Sequence, residues 1–376
     1  MIYLDNAATS WPKPDGVAQA MVDFMRESGA NPGRGGHTMS LVAGRTVFRC
    51  REALSTMFNI ADSSRVVFTQ NATAAINTAL FGLLQAGDHC VTSSWEHNAV
   101  SRPLQELQRR GIDVSVVSCD ADGSMDPQKF ADAMRPNTRL VAVMHASNVT
   151  GAVFPAKELA QVAHAGGALF LLDAAQTAGA VPIDVRDIGV DLMAAPGHKS
   201  LLGPMGTGIL YVAPDVSIRP TVFGGTGSHS ESLSMPEDYP DRLEAGTLNA
   251  PGLAGLHVAV NWLLKQGVAN IHAREQEHIR RLRESLADLP GVIVYGKHSE
   301  APVMAFNITH MSSVEVSSIL DASFGICTRS GLHCAPLAHR TLGTLDTGAV
   351  RVSPGPFTTD EDITSLIEAV GEVARC

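Results

Sequence analysis

The 376-residue sequence predicts an α/β fold: a large, mostly parallel sheet covered by helices on both faces, joined to a smaller α+β domain. The prediction rests on the alternation of short, continuously apolar runs with longer helical patterns, which marks strands buried on both sides. It rests also on a change near Gly252, where a long helical stretch replaces the alternation, and on a length too great for one ordinary core.

In chain order, Arg65 to Phe68 reads as a strand and Ala72 to Leu84 as a helix. His89 to Thr92 is a strand, Asn98 to Arg110 a helix, and Val114 to Val117 and Leu140 to Met144 are strands. Lys157 to His164 is helical, Ala168 to Leu172 and Asp191 to Ala194 are strands, and Gly206 to Val212 adds one more strand to the sheet. After Gly252 a helix runs through Leu264, followed by helices and short strands such as Val292 to Tyr295. The boundaries drawn are 14–252 for the large domain and 1–13 plus 253–376 for the small one.

Hydrophobic residues make up 45% of the chain and the formal net charge is -10, with no basic stripe. A core is affordable on that composition, and nucleic acid or an anionic membrane is not the expected partner. No apolar run approaches the roughly 18 residues of a membrane span, and the first residues lack a signal-peptide pattern. A cytoplasmic protein is expected. The six cysteines are scattered, with no CxxC pair, so neither a disulfide framework nor a structural zinc site is expected.

Three loops that follow predicted strands concentrate the chemistry: His145 to Gly151 with Asn148, Asp173 to Gln176, and Pro196 to Lys199. In such folds ligands bind where the strands end. A carboxylate, an amide and a lysine converging there suit a pyridinium cofactor, with the lysine as its covalent anchor and the carboxylate pairing with the ring nitrogen. Taken alone, Lys199 reads as a surface lysine and Asp173 as a helix N-cap; the ordered set is far more specific.

With these loops, the motifs Tyr3 to Ala8, Asn31 to His37, Glu96 to Asn98, Glu244 to Thr247 and Arg329 to Pro336 resemble class V pyridoxal-phosphate enzymes of the cysteine desulfurase family, type II (short-lobe) group. The resemblance spans nearly the whole chain. It implies the aminotransferase type I fold, pyridoxal 5'-phosphate as cofactor, and a homodimer with active sites at the subunit interface. It implies Lys199 as Schiff-base lysine, Asp173 as partner of the ring nitrogen, and Asn148 and Gln176 near the ring hydroxyl. His97 stacks on the ring and shuttles protons. Ala72 and Thr73 at a helix start, His198, and Thr247 from the other subunit hold the phosphate. Arg351 grips the substrate carboxylate, and Arg329, His37 and Asn6 lie on the substrate side. Arg34 shares the glycine-rich loop of His37, which reads equally as an ordinary turn. Gln176 is placed one turn from Asp173 on the same helical face.

The implied reaction converts L-cysteine to L-alanine, with the sulfur held as a persulfide on Cys334. Lys199 moves the Cα proton, and His333 and Arg329 supply positive potential to the thiol. The cysteine loop is expected to move so that the sulfur reaches an acceptor protein. Two residues depart from the family pattern. Pro196 replaces a common hydroxyl residue and removes one phosphate donor. Leu332 replaces a common histidine and leaves the cysteine loop less polar. Selenocysteine lyase and cysteine sulfinate desulfinase are alternatives on the same fold, neither needing a cysteine nucleophile as strictly. A plain aminotransferase has no use for that thiol, and a catalytically silent scaffold has no use for Lys199, Asp173 and Cys334 together.

Overall fold

The computed structural model describes residues 1–33 and 35–375. Its large sheet has seven strands in the order Val66–Thr69, Gly208–Val212, Leu192–Pro196, Leu169–Asp173, Thr138–Met144, His89–Ser93 and Asp113–Val117. Gly208–Val212 runs antiparallel to both neighbours, and the remaining pairs are parallel. This is the α/β architecture expected from the sequence. The central strands are buried along their length, as a sheet covered on both faces requires.

Alternate residues of these strands feed two cores. Val91, Val141, Phe170 and Met193 pack with helices Thr38–Phe58, Ala156–Ala165 and Ala250–Gln266. Cys90, Leu140, Leu171 and Leu192 pack with helices Ala72–Leu83 and Asn98–Arg109 on the other face. The period of two along each strand divides the residues in this way.

A second, antiparallel sheet has the order Arg329–Gly331, Ala349–Val352, Met304–Ile308 and Val292–Tyr295. Helices Val268–Ala287, Ser313–Phe324 and Asp360–Val373 cover it around Phe306, Leu320 and Leu366. The N-terminal strand Ile2–Tyr3 pairs in parallel with Ile326–Cys327, and Asp5 bridges Ser353, so the first residues join this later part of the chain. Among the described residues no helix is long and apolar enough to cross a membrane.

Candidate active site

Strands Thr138–Met144, Leu169–Asp173 and Leu192–Pro196 end side by side, and the loops beyond them border one cavity of about 230 Å³. Lys199, Asp173, Asn148, His97, Gln176 and Arg351 line it, together with Ala72, Thr73, His198 and Arg329. Ten of the expected residues are thus brought together from loops, strand ends and a helix start far apart in sequence.

The lysine loop is closed by its own main chain. Gly197 N–H donates to the Thr207 carbonyl (2.8 Å), Gly203 N–H to the Gly197 carbonyl (2.7 Å), and Leu202 N–H to the Lys199 carbonyl (2.8 Å). Burial lowers the Lys199 amine to about 8; Arg351 and Arg329 push the same way, and Asp173 opposes them. Asp173 is buried and accepts a hydrogen bond from Ala175 N–H (3.0 Å). Its burial raises the carboxyl, against the Ala175 bond and the Lys199 charge. The pair is therefore a desolvated acid and base at one cavity wall, an arrangement characteristic of functional sites.

Helix Ala72–Leu83 begins at the cavity. Asn71 caps it by accepting from Ala74 N–H (2.8 Å), which leaves the first amides, of Ala72 and Thr73, without an intrahelical acceptor. A Cβ at Gly208 would lie 2.7 Å from Asn71 backbone atoms, so glycine is what lets the strand reach the helix start. The His198 carbonyl is held by Ser10 N–H (3.0 Å) and Lys13 Nζ (2.9 Å). Burial lowers the His198 ring to about 4. His97 caps helix Asn98–Arg109, with Nδ1 accepting from Ala99 N–H (3.0 Å). Burial lowers it to about 4, so the ring is neutral with its proton on Nε2.

Arg351 is 1% exposed, paired with Asp5 (2.7 Å) and donating to the Asn148 carbonyl (3.1 Å). Asn148 Nδ2 donates to the His333 carbonyl (2.7 Å). Three buried polar atoms at this site, Asn148 Oδ1, His198 Nδ1 and Arg351 Nε, have no partner. Such groups call for a ligand. Together with a helix start and a desolvated lysine beside a carboxylate, they fit a planar nitrogen heterocycle carrying a hydroxyl and a phosphate.

Cys334 is exposed, with its sulfur 4.0 Å from Arg329 Nη2 and its carbonyl accepting from Asn98 N–H (2.8 Å). One expectation changes here. Burial pushes the His333 ring down to about 2, so it is neutral and Arg329 alone supplies positive charge from this loop. The carbonyls of His333 and Cys334 are both held, and the thiol is exposed, outside the cavity lining.

Other expected residues lie elsewhere. Thr247 is exposed and 3.4 Å from Asn31 Nδ2, outside the cavity lining. His37 is exposed and caps helix Thr38–Phe58 by accepting from Ser40 N–H (3.3 Å). Asn6 is buried as a fastener, accepting from Trp11 N–H (3.1 Å) and donating to the Ser353 carbonyl (3.0 Å), while its neighbours Ala7 and Ala8 reach the cavity. Arg34 falls outside the described residues. Gln176 lines the cavity and donates to the Ala7 carbonyl (3.3 Å), but not from a helix. The segment after Asp173 is a run of turns, since Gly179 is left-handed (φ 94°) and Pro182 follows.

Sequence reasoning missed Asp5 as the partner of Arg351, Lys13 beneath His198, and the side chains behind His333. The nearest signal was Asp5 within the quoted N-terminal motif; nothing local announces a partner 346 residues away.

Residues 2–366 match the family model for aminotransferase class-V. The chain is 40% identical to a probable cysteine desulfurase of Methanothermobacter thermautotrophicus, over 99% of this chain and 94% of that protein. It is similar in structure to a cysteine desulfurase from Thermococcus onnurineus, with a TM-score of 0.92 and 30% identity over 100% of this chain and 94% of that one. An Escherichia coli cysteine desulfurase carrying an S-sulfonic acid superposes with a TM-score of 0.90 and 29% identity, over 99% and 94% of the two chains.

Proposed function

Because the chain belongs to the class-V aminotransferase family, we infer that it is a pyridoxal-phosphate-dependent cysteine desulfurase, converting L-cysteine to L-alanine and holding the sulfur on Cys334. The observation that carries this reading is an exposed cysteine beside a cavity that already contains a desolvated lysine and carboxylate. Near-full-length relatives named for that activity support it.

Lys199 would hold the cofactor covalently, with Asp173 at its ring nitrogen, Asn148 and Gln176 at its hydroxyl, and His97 against its face. The amides of Ala72 and Thr73, with His198, would hold its phosphate. When bound, the cofactor supplies an electron sink for the carbon that bears the amino group.

The chain's own groups do the rest. Arg351, anchored by Asp5 and Asn148 and with Nε unpartnered, binds the substrate carboxylate. Lys199 Nζ, with a lowered proton affinity, takes the Cα proton of cysteine. Neutral His97, protonated on Nε2, is placed to pass protons at the cavity. Cys334 Sγ forms an S–S bond to the substrate sulfur as the C–S bond breaks. The carbon takes a proton and becomes the methyl group of alanine. Cysteine plus the Cys334 thiol gives alanine plus the Cys334 persulfide, balanced without an external oxidant.

The rest of the reading follows from the same placement. The large sheet lies within 14–252 and the small sheet outside it, in support of a division near 252, while helix Ala250–Gln266 crosses that point and packs on the large sheet. Thr247, outside its own cavity, serves the phosphate site of the neighbouring subunit in a homodimer. Exposed Met39, Leu41 and Phe48 on helix Thr38–Phe58 support such an interface. An acceptor protein collects the sulfur in the cytoplasm.

The test is an assay of the purified enzyme for alanine and sulfide from L-cysteine, with and without a reductant. Alanine should form in both, with sulfide released only when reductant frees the sulfur. Absence of alanine under both conditions would end this reading.

A further inference from the structure

A line of buried side chains runs behind the cysteine loop and takes no part in the chemistry above. Thr344 Oγ1 lies 2.8 Å from His339 Nδ1, His339 Nε2 lies 3.2 Å from His333 Nδ1, and His333 Nε2 lies 3.2 Å from the Arg329 carbonyl. Thr344, His339 and His333 are all buried, and the two imidazole centroids are 5.3 Å apart.

Each bond has a forced direction. A carbonyl only accepts, so His333 donates from Nε2 and leaves Nδ1 as an acceptor. His339 then donates to it from Nε2, and its own Nδ1 accepts the Thr344 hydroxyl. Burial pushes His333 to about 2 and His339 to about 4, so both rings are neutral and a single pair of tautomers satisfies the string.

The string ends where the thiol is placed. His333 (φ 50°) and Cys334 (φ 58°) are consecutive non-glycine residues in the left-handed region, which L side chains adopt only when surroundings impose it. Asn148 and Asn98 hold their carbonyls. The string adds the grip on the His333 ring and, through it, on the backbone of Arg329, whose guanidinium lies 4.0 Å from the sulfur.

We propose that His339 and Thr344 are positioning residues for the Cys334 thiol: acting through His333, they fix the left-handed turn and keep the Arg329 guanidinium beside the sulfur. The inference rests on the reading of Cys334 as the sulfur-accepting group. The charged groups that face this sulfur are Arg329 and Lys199, while His333 and His97 are neutral. Breaking the string lets the left-handed turn relax and the guanidinium drift from the sulfur, so the thiol is presented less well to an electrophile.

The experiment measures iodoacetamide alkylation of Cys334 in the holoenzyme across pH, by peptide mass, alongside alanine formation. His339→Leu should slow alkylation by about five-fold, with kcat falling and KM little changed. Thr344→Val should slow it about two-fold. His339→Gln keeps a donor near the Nε2 position and should stay close to wild type. Adding Arg329→Gln to His339→Leu should cause no further slowing, because both changes remove the same cation. A folded His339→Leu protein with the wild-type alkylation profile overturns the proposal, even if its activity falls, since that outcome describes packing alone. If His339→Leu does not fold, an unchanged profile in Thr344→Val overturns it. Absence of alanine from the wild-type enzyme would instead sink the desulfurase reading, and the alkylation comparison would still decide this one.

Discussion

The lysine loop and the cysteine loop border the same cavity but are held in different ways. Main-chain hydrogen bonds close the turn around Lys199, and a Cβ at Gly197 would collide with Thr207. At His333 and Cys334 side chains join the main chain: the backbone N–H groups of Asn98 and Ala335 hold the carbonyls of Cys334 and Leu332, and the Asn148 amide and His339 imidazole add to them. A turn fixed by its backbone keeps its geometry when neighbouring side chains change. A turn that also leans on side chains changes with them. Lys199 thus sits on the more constant of the two turns and Cys334 on the more adjustable one.

The sharpest way to break that contrast is to remove each reactive group. Lys199→Ala should cut alanine formation by about 10³-fold or more, and borohydride should no longer fix pyridoxal phosphate on the chain. Turnover at the wild-type rate in this protein would remove Lys199 from its role. Cys334→Ala should lose on the order of 10²-fold with L-cysteine yet bind the cofactor normally in an absorbance titration. Activity on selenocysteine should fall much less, because selenium leaves more readily without attack. Equal desulfuration by variant and wild type would reduce the thiol to filler.

Acidity sharpens the comparison further. Burial holds the Lys199 amine near about 8, and only the neutral amine is nucleophilic. Capture of pyridoxal phosphate by the apo-protein, followed by stopped-flow absorbance, should rise with pH through about 8 and fall about tenfold per pH unit below it. Prior alkylation of Cys334 should leave that profile in place; a displaced profile would mean the two loops are coupled. The smallest effect is expected at Pro196, which borders the cavity one residue before Gly197. Pro196→Ser restores a hydroxyl and should tighten cofactor retention by about five-fold, roughly the 1 kcal/mol of one hydrogen bond. Equilibrium dialysis against pyridoxal phosphate measures it.

The parallel strands were legible because each is buried on both faces and so written as an apolar run. Strands Thr138–Met144, Leu169–Asp173 and Leu192–Pro196 fell within a few residues of their expected positions, and the loops at their ends carried Asn148, Asp173 and Lys199. The antiparallel direction of Gly208–Val212 left no mark, since an apolar run reads the same both ways. The turns after Asp173 were mistaken for helix because Asp173 and Gln176 are also spaced for one. His339 was invisible for another reason. A histidine beside an arginine reads as a surface residue, and only the fold buries it against His333.

One consequence concerns the order of events during synthesis. Strand Ile2–Tyr3 finds its partner only at Ile326–Cys327, and Asp5 meets Arg351 later still. At ribosomal speeds of about 5–20 residues per second, the nascent N-terminus waits on the order of tens of seconds for its complement. Until then Arg351 does not exist and the segment carrying Ala7 and Ala8 has nowhere to dock. The cavity, lined by Ala8 and Arg351 alike, therefore takes shape only when these two distant segments have met, with the last strand of the small sheet in place.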